Sequence, residues 1–129
     1  MKMIKFCELK GLGDYVLIIK DTGVTIKANS NWDGDINNIH KDSLPIVTVE
    51  TNPDLKYPFE ITGVKEKGYL RYSVLNREEL LVYLISHELR HLWQGRNNSS
   101  LDDYGSQQDA DVYAVKKVEA WRKMGGKPN

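Results

Sequence analysis

The segment Ser86-His87-Glu88-Leu89-Arg90-His91-Leu92-Trp93-Gln94 decides how this chain is read. It is an H-E-x-x-H string inside an apolar, helix-forming run. On a helix, residues four apart lie on one face, so His87 and His91 can aim their imidazoles at one point. Two converging imidazoles suit a borderline ion such as Zn²⁺. Glu88, one position round the helix, can reach a water activated by that ion and act as general base. The chain has three histidines, the third being His40. A lone histidine is more often a surface or hydrogen-bonded core residue than a ligand, and His40 reads that way.

Moving outward, Asn76 reads as an N-cap, with Glu78 and Glu79 in the first turn, where carboxylates favour the helix dipole. Glu79 follows Asn76 by three, close to a capping box. The pattern predicts a helix over residues 77–94, stopping at Gly95. Leu81, Ile85, Leu89 and Leu92 make one apolar stripe, and Leu80, Leu84, His87 and His91 the neighbouring one. Asn, Ser and Asp content predicts a loop over 96–106. A second helix is predicted over 107–124, with Gln107, Ala110, Asp111, Ala114, Val118 and Trp121 facing inward.

The first seventy-five residues read as short strands. One strand is expected over residues 4–9. Residues 15–20 and 24–27 flank Asp21-Thr22-Gly23 and predict a hairpin. Residues 45–51 form a clear strand, 57–61 an edge strand or a loop entering one because of Pro58, and 69–75 a last strand after a turn at 65–68. Asp33, Asp35 and Asn37 imitate the first ligands of a calcium loop. Asn38 and Leu44 stand where that loop needs Gly and Glu, so a surface loop is expected. The predicted fold class is α+β: a single domain, 1–129, with a small, mostly antiparallel sheet in the N-terminal part packed on two C-terminal helices.

Composition narrows the partners. Eighteen basic and eighteen acidic residues balance to a formal net charge of zero, so no global field favours nucleic acid or an anionic membrane. Cys7 is the single cysteine, which excludes an internal disulfide and a cysteine-based metal cluster. The start lacks the apolar core of a signal peptide, and Val16-Leu17-Ile18-Ile19 is too short to span a bilayer. A cytoplasmic location is expected.

A catalytic zinc usually has three protein ligands. No histidine follows His91, and Gln94 and Asn97 stand where a metzincin extension has Gly and His. What remains is a carboxylate from the second helix. The H-E-x-x-H segment, together with Asp109-Ala110-Asp111-Val112-Tyr113-Ala114, resembles the small zincin-like metallopeptidases of bacteria and phages, those of ImmA/IrrE type being most similar. That family's second motif looks like Glu-x-x-Ala-(Asp/Asn)-x-(Phe/Tyr)-Ala, its Glu being the third zinc ligand. Here Ala110, Asp111, Tyr113 and Ala114 match, but the Glu position holds Gln107, whose neutral amide is a weak zinc ligand. Asp111, one turn on, is the first candidate for the third ligand. The resemblance implies instead that it orients a histidine from behind. Gln107 and Asp109 are the alternatives, followed by Asp102 and Asp103.

The expected function is zinc-dependent hydrolysis of peptide bonds, with a metal-activated water and Glu88 as general base. Tyr104, Tyr113 and His40 are candidates for stabilising the oxyanion. A protein or peptide substrate is expected to add as a strand along residues 45–51 or 69–75. The alternative is a catalytically weak or inactive zincin-like domain that acts as a protein-binding or regulatory module, and Gln107 is its main argument.

Overall fold

The helix carrying the two histidines begins where its capping signal lies. In the computed structural model, Asn76 is extended and its side chain accepts the Glu79 N–H at 2.9 Å. The structure describes residues 2–21, 27–30, 45–65, 68–97 and 102–126. Their elements are α1 (Lys2–Cys7), β1 (Val16–Asp21), β2 (Lys27–Ser30), β3 (Ile46–Thr51), β4 (Phe59–Lys65), β5 (Gly68–Val74), α2 (Arg77–Arg96) and α3 (Asp103–Lys123). The α+β class is as expected. The calcium-like Asp33, Asp35 and Asn37, His40, and the tip of the 65–68 turn lie outside the described residues.

Every residue of α2 from Glu79 to Ser86 is buried. A helix buried on all faces needs cover all round, and α1, β2, β3, β5 and α3 each contact it. The sequence pattern predicted two adjacent stripes; the helix is instead the centre of the core. Val47 and Val49 point into that core from β3, while Ile46 points out, as the two-residue period of a strand requires. Ala114, Val118 and Trp121 enter it from α3.

The turn and most of the second strand of the expected hairpin, residues 22–26, lie outside the described residues. β3 lies between β1 and β2, so those two do not pair with each other. It runs parallel to β1, Val16 opposite Ile46 through Asp21 opposite Thr51, and antiparallel to β2. β4 and β5 form a separate antiparallel pair, from Phe59 opposite Val74 to Lys65 opposite Gly68. The predicted single sheet is therefore two, and one pairing is parallel. With both its sides paired, β3 offers no edge to a peptide; of the two segments expected to do so, only the one in β5 remains.

The strand expected over residues 4–9 is also replaced. α1 is a helix, burying Met3 and Cys7 four residues apart on one face. Its last carbonyls are satisfied from α3: the Tyr113 hydroxyl donates to the Cys7 carbonyl at 2.7 Å, and Lys117 Nζ to the Phe6 carbonyl at 2.8 Å. The chain then turns across the end of α2, whose Trp93 Nε1 donates to the Lys10 carbonyl and Arg96 Nη2 to the Asp14 carbonyl. Gly13 fits that turn because its φ of 76° is a conformation that L side chains rarely adopt.

Both long helices extend past their predicted limits. α2 continues to Arg96 and ends on Asn97. α3 starts at Asp103 because Asp102 caps it, accepting the Gly105 N–H at 2.7 Å. At the opposite end of the helix pair, buried Glu79 accepts from Arg122 Nε and Nη2 at 2.9 and 2.7 Å and from the Leu75 N–H at 2.9 Å. Burial pushes its carboxyl up, but the Arg122 and Leu75 donors outweigh that and hold it below the ordinary 4.5. A carboxylate depressed in the folded state contributes stability above its unfolded pKa, and that stability is lost as pH falls through the folded one. Urea unfolding should therefore show stability declining as pH drops below about 4.5. Glu79→Gln should cost about 1.5–3 kcal/mol at neutral pH and flatten that decline.

Candidate metal centre

Past Ser86, α2 emerges from full burial, and His87 and His91 are half-buried. The four-residue spacing brings their Nε2 atoms within 3.1 Å, with the rings nearly perpendicular at 80°. Two nitrogens bound at about 2.0–2.1 Å to one tetrahedral ion would stand about 3.3 Å apart. The observed separation fits two ligands of a shared cation.

The back of each imidazole has a partner. Nδ1 of His87 lies 2.8 Å from Asp111 Oδ1, a close polar contact whose N–H direction is not well aligned. Asp111 is buried and also accepts the Tyr83 hydroxyl at 2.9 Å. Burial, then the Asp111 charge, pushes the Tyr83 hydroxyl far above its usual range, so it remains a donor. The Tyr83 ring lies nearly parallel to those of His87 and Tyr72, each with its centroid 6.3 Å away. Nδ1 of His91 is 2.9 Å from Gln94 Oε1. Gln94 donates in turn to the Ser106 carbonyl and to Asp109 Oδ2.

On the Nε2 side, Gln107 Oε1 lies 3.3 Å from His91 Nε2. Glu88, 5% exposed, brings Oε1 to 3.8 Å from His87 Nε2. Two imidazole nitrogens and an amide oxygen thus converge, with the Glu88 carboxylate to one side. The donor set suits a divalent ion, although an amide oxygen is the weakest member. Among the described residues, no group of three or more His, Cys, Asp and Glu side chains is placed to hold a metal; here the third donor near the histidines is an amide.

The other sequence candidates have different positions. Asp111, expected first as the third ligand, contacts the ring nitrogen of His87 opposite the one facing His91. Asp109 is paired with Arg90, whose Nε and Nη2 donate at 2.6 and 3.1 Å. Asp102 is the α3 cap, and the Tyr113 hydroxyl is bonded to the Cys7 carbonyl. The side chains of Asp103 and Tyr104 are outside the described residues. Gln94 was missed by the sequence reading. Its signal was there, an amide three residues after a candidate ligand on the same helix.

Tyr83→Phe should remove one bond from a buried carboxylate and lower stability by about 1–3 kcal/mol, read from urea denaturation. An unchanged midpoint would mean that Asp111 does not depend on that hydroxyl. Compared with family models, curated proteins and solved structures, the chain matches none.

Proposed function

We propose that this protein is a zinc-dependent hydrolase of peptide bonds, in which His87, His91 and Gln107 hold the ion and Glu88 moves the proton. The carrying observation is the opposed pair of Nε2 atoms at 3.1 Å, with Gln94 Oε1 hydrogen-bonded behind the His91 ring and the Asp111 carboxylate 2.8 Å behind the His87 ring. An acceptor at Nδ1 favours a proton there and leaves a lone pair on Nε2. With both protons on Nδ1, the two converging lone pairs would offer one cation two ligands; with one proton on Nε2, the same 3.1 Å is an N–H···N hydrogen bond that the ion would displace.

When bound, zinc would supply a Lewis acid that acidifies water and polarises a carbonyl. Glu88 is the residue to take a proton and later deliver it to the leaving amine. Its near-complete burial and its 3.8 Å approach to His87 support that role. Asp111 orients His87 rather than coordinating, and Gln107 takes the third position through its carbonyl oxygen. A peptide would add along β5, whose Tyr72 ring lies nearly parallel to that of Tyr83, itself nearly parallel to His87.

A second reading, a metal-binding module without turnover, draws on Gln107, since three neutral ligands hold zinc less firmly than two imidazoles and a carboxylate. Calorimetric titration of zinc into the metal-free chain, together with cleavage of casein, separates the two. Wild type should bind zinc and cleave, and His91→Ala should lose both. Glu88→Gln should keep the ion and lose about 100-fold or more of the cleavage rate. Zinc binding with equal, background cleavage by wild type and Glu88→Gln would favour the binding module. A folded wild type that takes no zinc would remove both readings. Separately, Gln107→Glu should tighten zinc binding about tenfold or more, and an unchanged affinity would remove Gln107 from the ligand set.

A further inference from the structure

We propose that Gln94 is a positioning residue that holds His91 in the tautomer with its proton on Nδ1, its own amide being oriented from α3 by Asp109 and the Ser106 carbonyl. The purpose of this arrangement rests on the metal reading above; the geometry does not.

The amide of Gln94 has a donating end and an accepting end, and its neighbours decide which faces where. Nε2 lies 3.0 Å from the Ser106 carbonyl and 2.9 Å from Asp109 Oδ2. Both partners only accept hydrogen bonds when Asp109 is ionised. The two-pronged Arg90 contact, at 2.6 and 3.1 Å, pairs Asp109 as a carboxylate. Reversing the amide would set its oxygen against a carboxylate and a carbonyl and lose both bonds. With Gln94 only 6% exposed, water is a poor substitute for them.

The oxygen end therefore faces His91 Nδ1, at 2.9 Å. An amide oxygen only accepts, so the bond needs a proton on Nδ1. Neutral imidazole carries one ring proton, for which Gln107 Oε1, 3.3 Å from Nε2 and exposed, is the competing acceptor. The shorter and more buried Gln94 contact takes it, which leaves the Nε2 lone pair on the side of His87 and Gln107. Arg90 is itself fixed, its guanidinium over the Trp93 ring at 4.2 Å and near the Tyr113 ring at 5.4 Å. The order of control runs Arg90, Asp109, Gln94, His91, and it crosses from α2 to α3 and back.

Long-range ¹H–¹⁵N correlation spectra of the metal-free, ¹⁵N-labelled chain read the ring tautomer directly, at pH about 9, where an ordinary imidazole is neutral. Wild type should show His91 with the proton on Nδ1. Gln94→Met, close in shape but unable to accept that proton, should move it toward Nε2. Gln94→Glu should keep it on Nδ1 by restoring an acceptor. Zinc affinity should drop about 10- to 100-fold in Gln94→Met, with the Gln94→Glu value nearer wild type. A wild-type His91 protonated on Nε2, which needs no variant to fold, would overturn the proposal. So would an unchanged tautomer in a folded Gln94→Met chain. If wild type shows the Nδ1 tautomer but binds no zinc, the positioning role stands and the hydrolase reading falls. If zinc binds while the tautomer ignores Gln94, the positioning role falls and the metal site stands.

Discussion

The burial of α2 on every face from Glu79 to Ser86 is the constraint on which the rest of the structure depends. Burying a large aliphatic side chain contributes about 1.5–3 kcal/mol, so a helix carrying Leu80, Leu81, Val82, Leu84 and Ile85 drives the chain to wrap around it. The cover is diverse because each face needs its own partner: α1 and α3, the valines of β3, and the end of β5. Such a centre fixes the axis of α2 before any chemistry is considered. The histidines come immediately after this buried stretch, on the same rigid helix, and inherit its placement.

What surrounds the histidines comes largely from α3. Asp111 backs one ring, Gln107 faces the other, and Asp109 orients the amide that backs it. One helix supplies the imidazoles and the other supplies the groups that aim them. The polar cluster is thus a product of how the two helices pack. It also explains how an otherwise apolar interface tolerates buried carboxylates: Glu79 meets Arg122, and Asp111 meets Tyr83 and His87.

Features legible in the sequence are those whose cause is local. The Asn76 cap, the four-residue spacing of His87 and His91, and the inward run Ala110, Asp111, Ala114, Val118 and Trp121 need only neighbours on the same helix, whereas Gln107, expected on that inward face, is exposed. Features that were not legible depend on distant partners. α1 is a helix whose final carbonyls are satisfied by Tyr113 and Lys117, more than a hundred residues away. The parallel β1–β3 pairing joins segments thirty residues apart, Val16 opposite Ile46, and goes with the burial of the β3 valines in the core around α2. At the site, the motif indicates where the imidazoles converge, but only the docking of α3 decides which ring nitrogen Asp111 meets and which way the Gln94 amide faces.

The two helices are joined near opposite ends by arginine–carboxylate pairs of reversed sense. At one end Arg122 of α3 meets Glu79 of α2; at the other Arg90 of α2 meets Asp109 of α3. Each residue of a helix advances it by about 1.5 Å, and a hydrogen-bonded ion pair tolerates only a fraction of that. A slip of either helix by one residue would break both pairs at once. A twist would carry the guanidinium forks out of the planes of their carboxylates. The pairs therefore act as a pin at each end of a sliding joint, giving an apolar contact that alone would accept several offsets one fixed longitudinal setting.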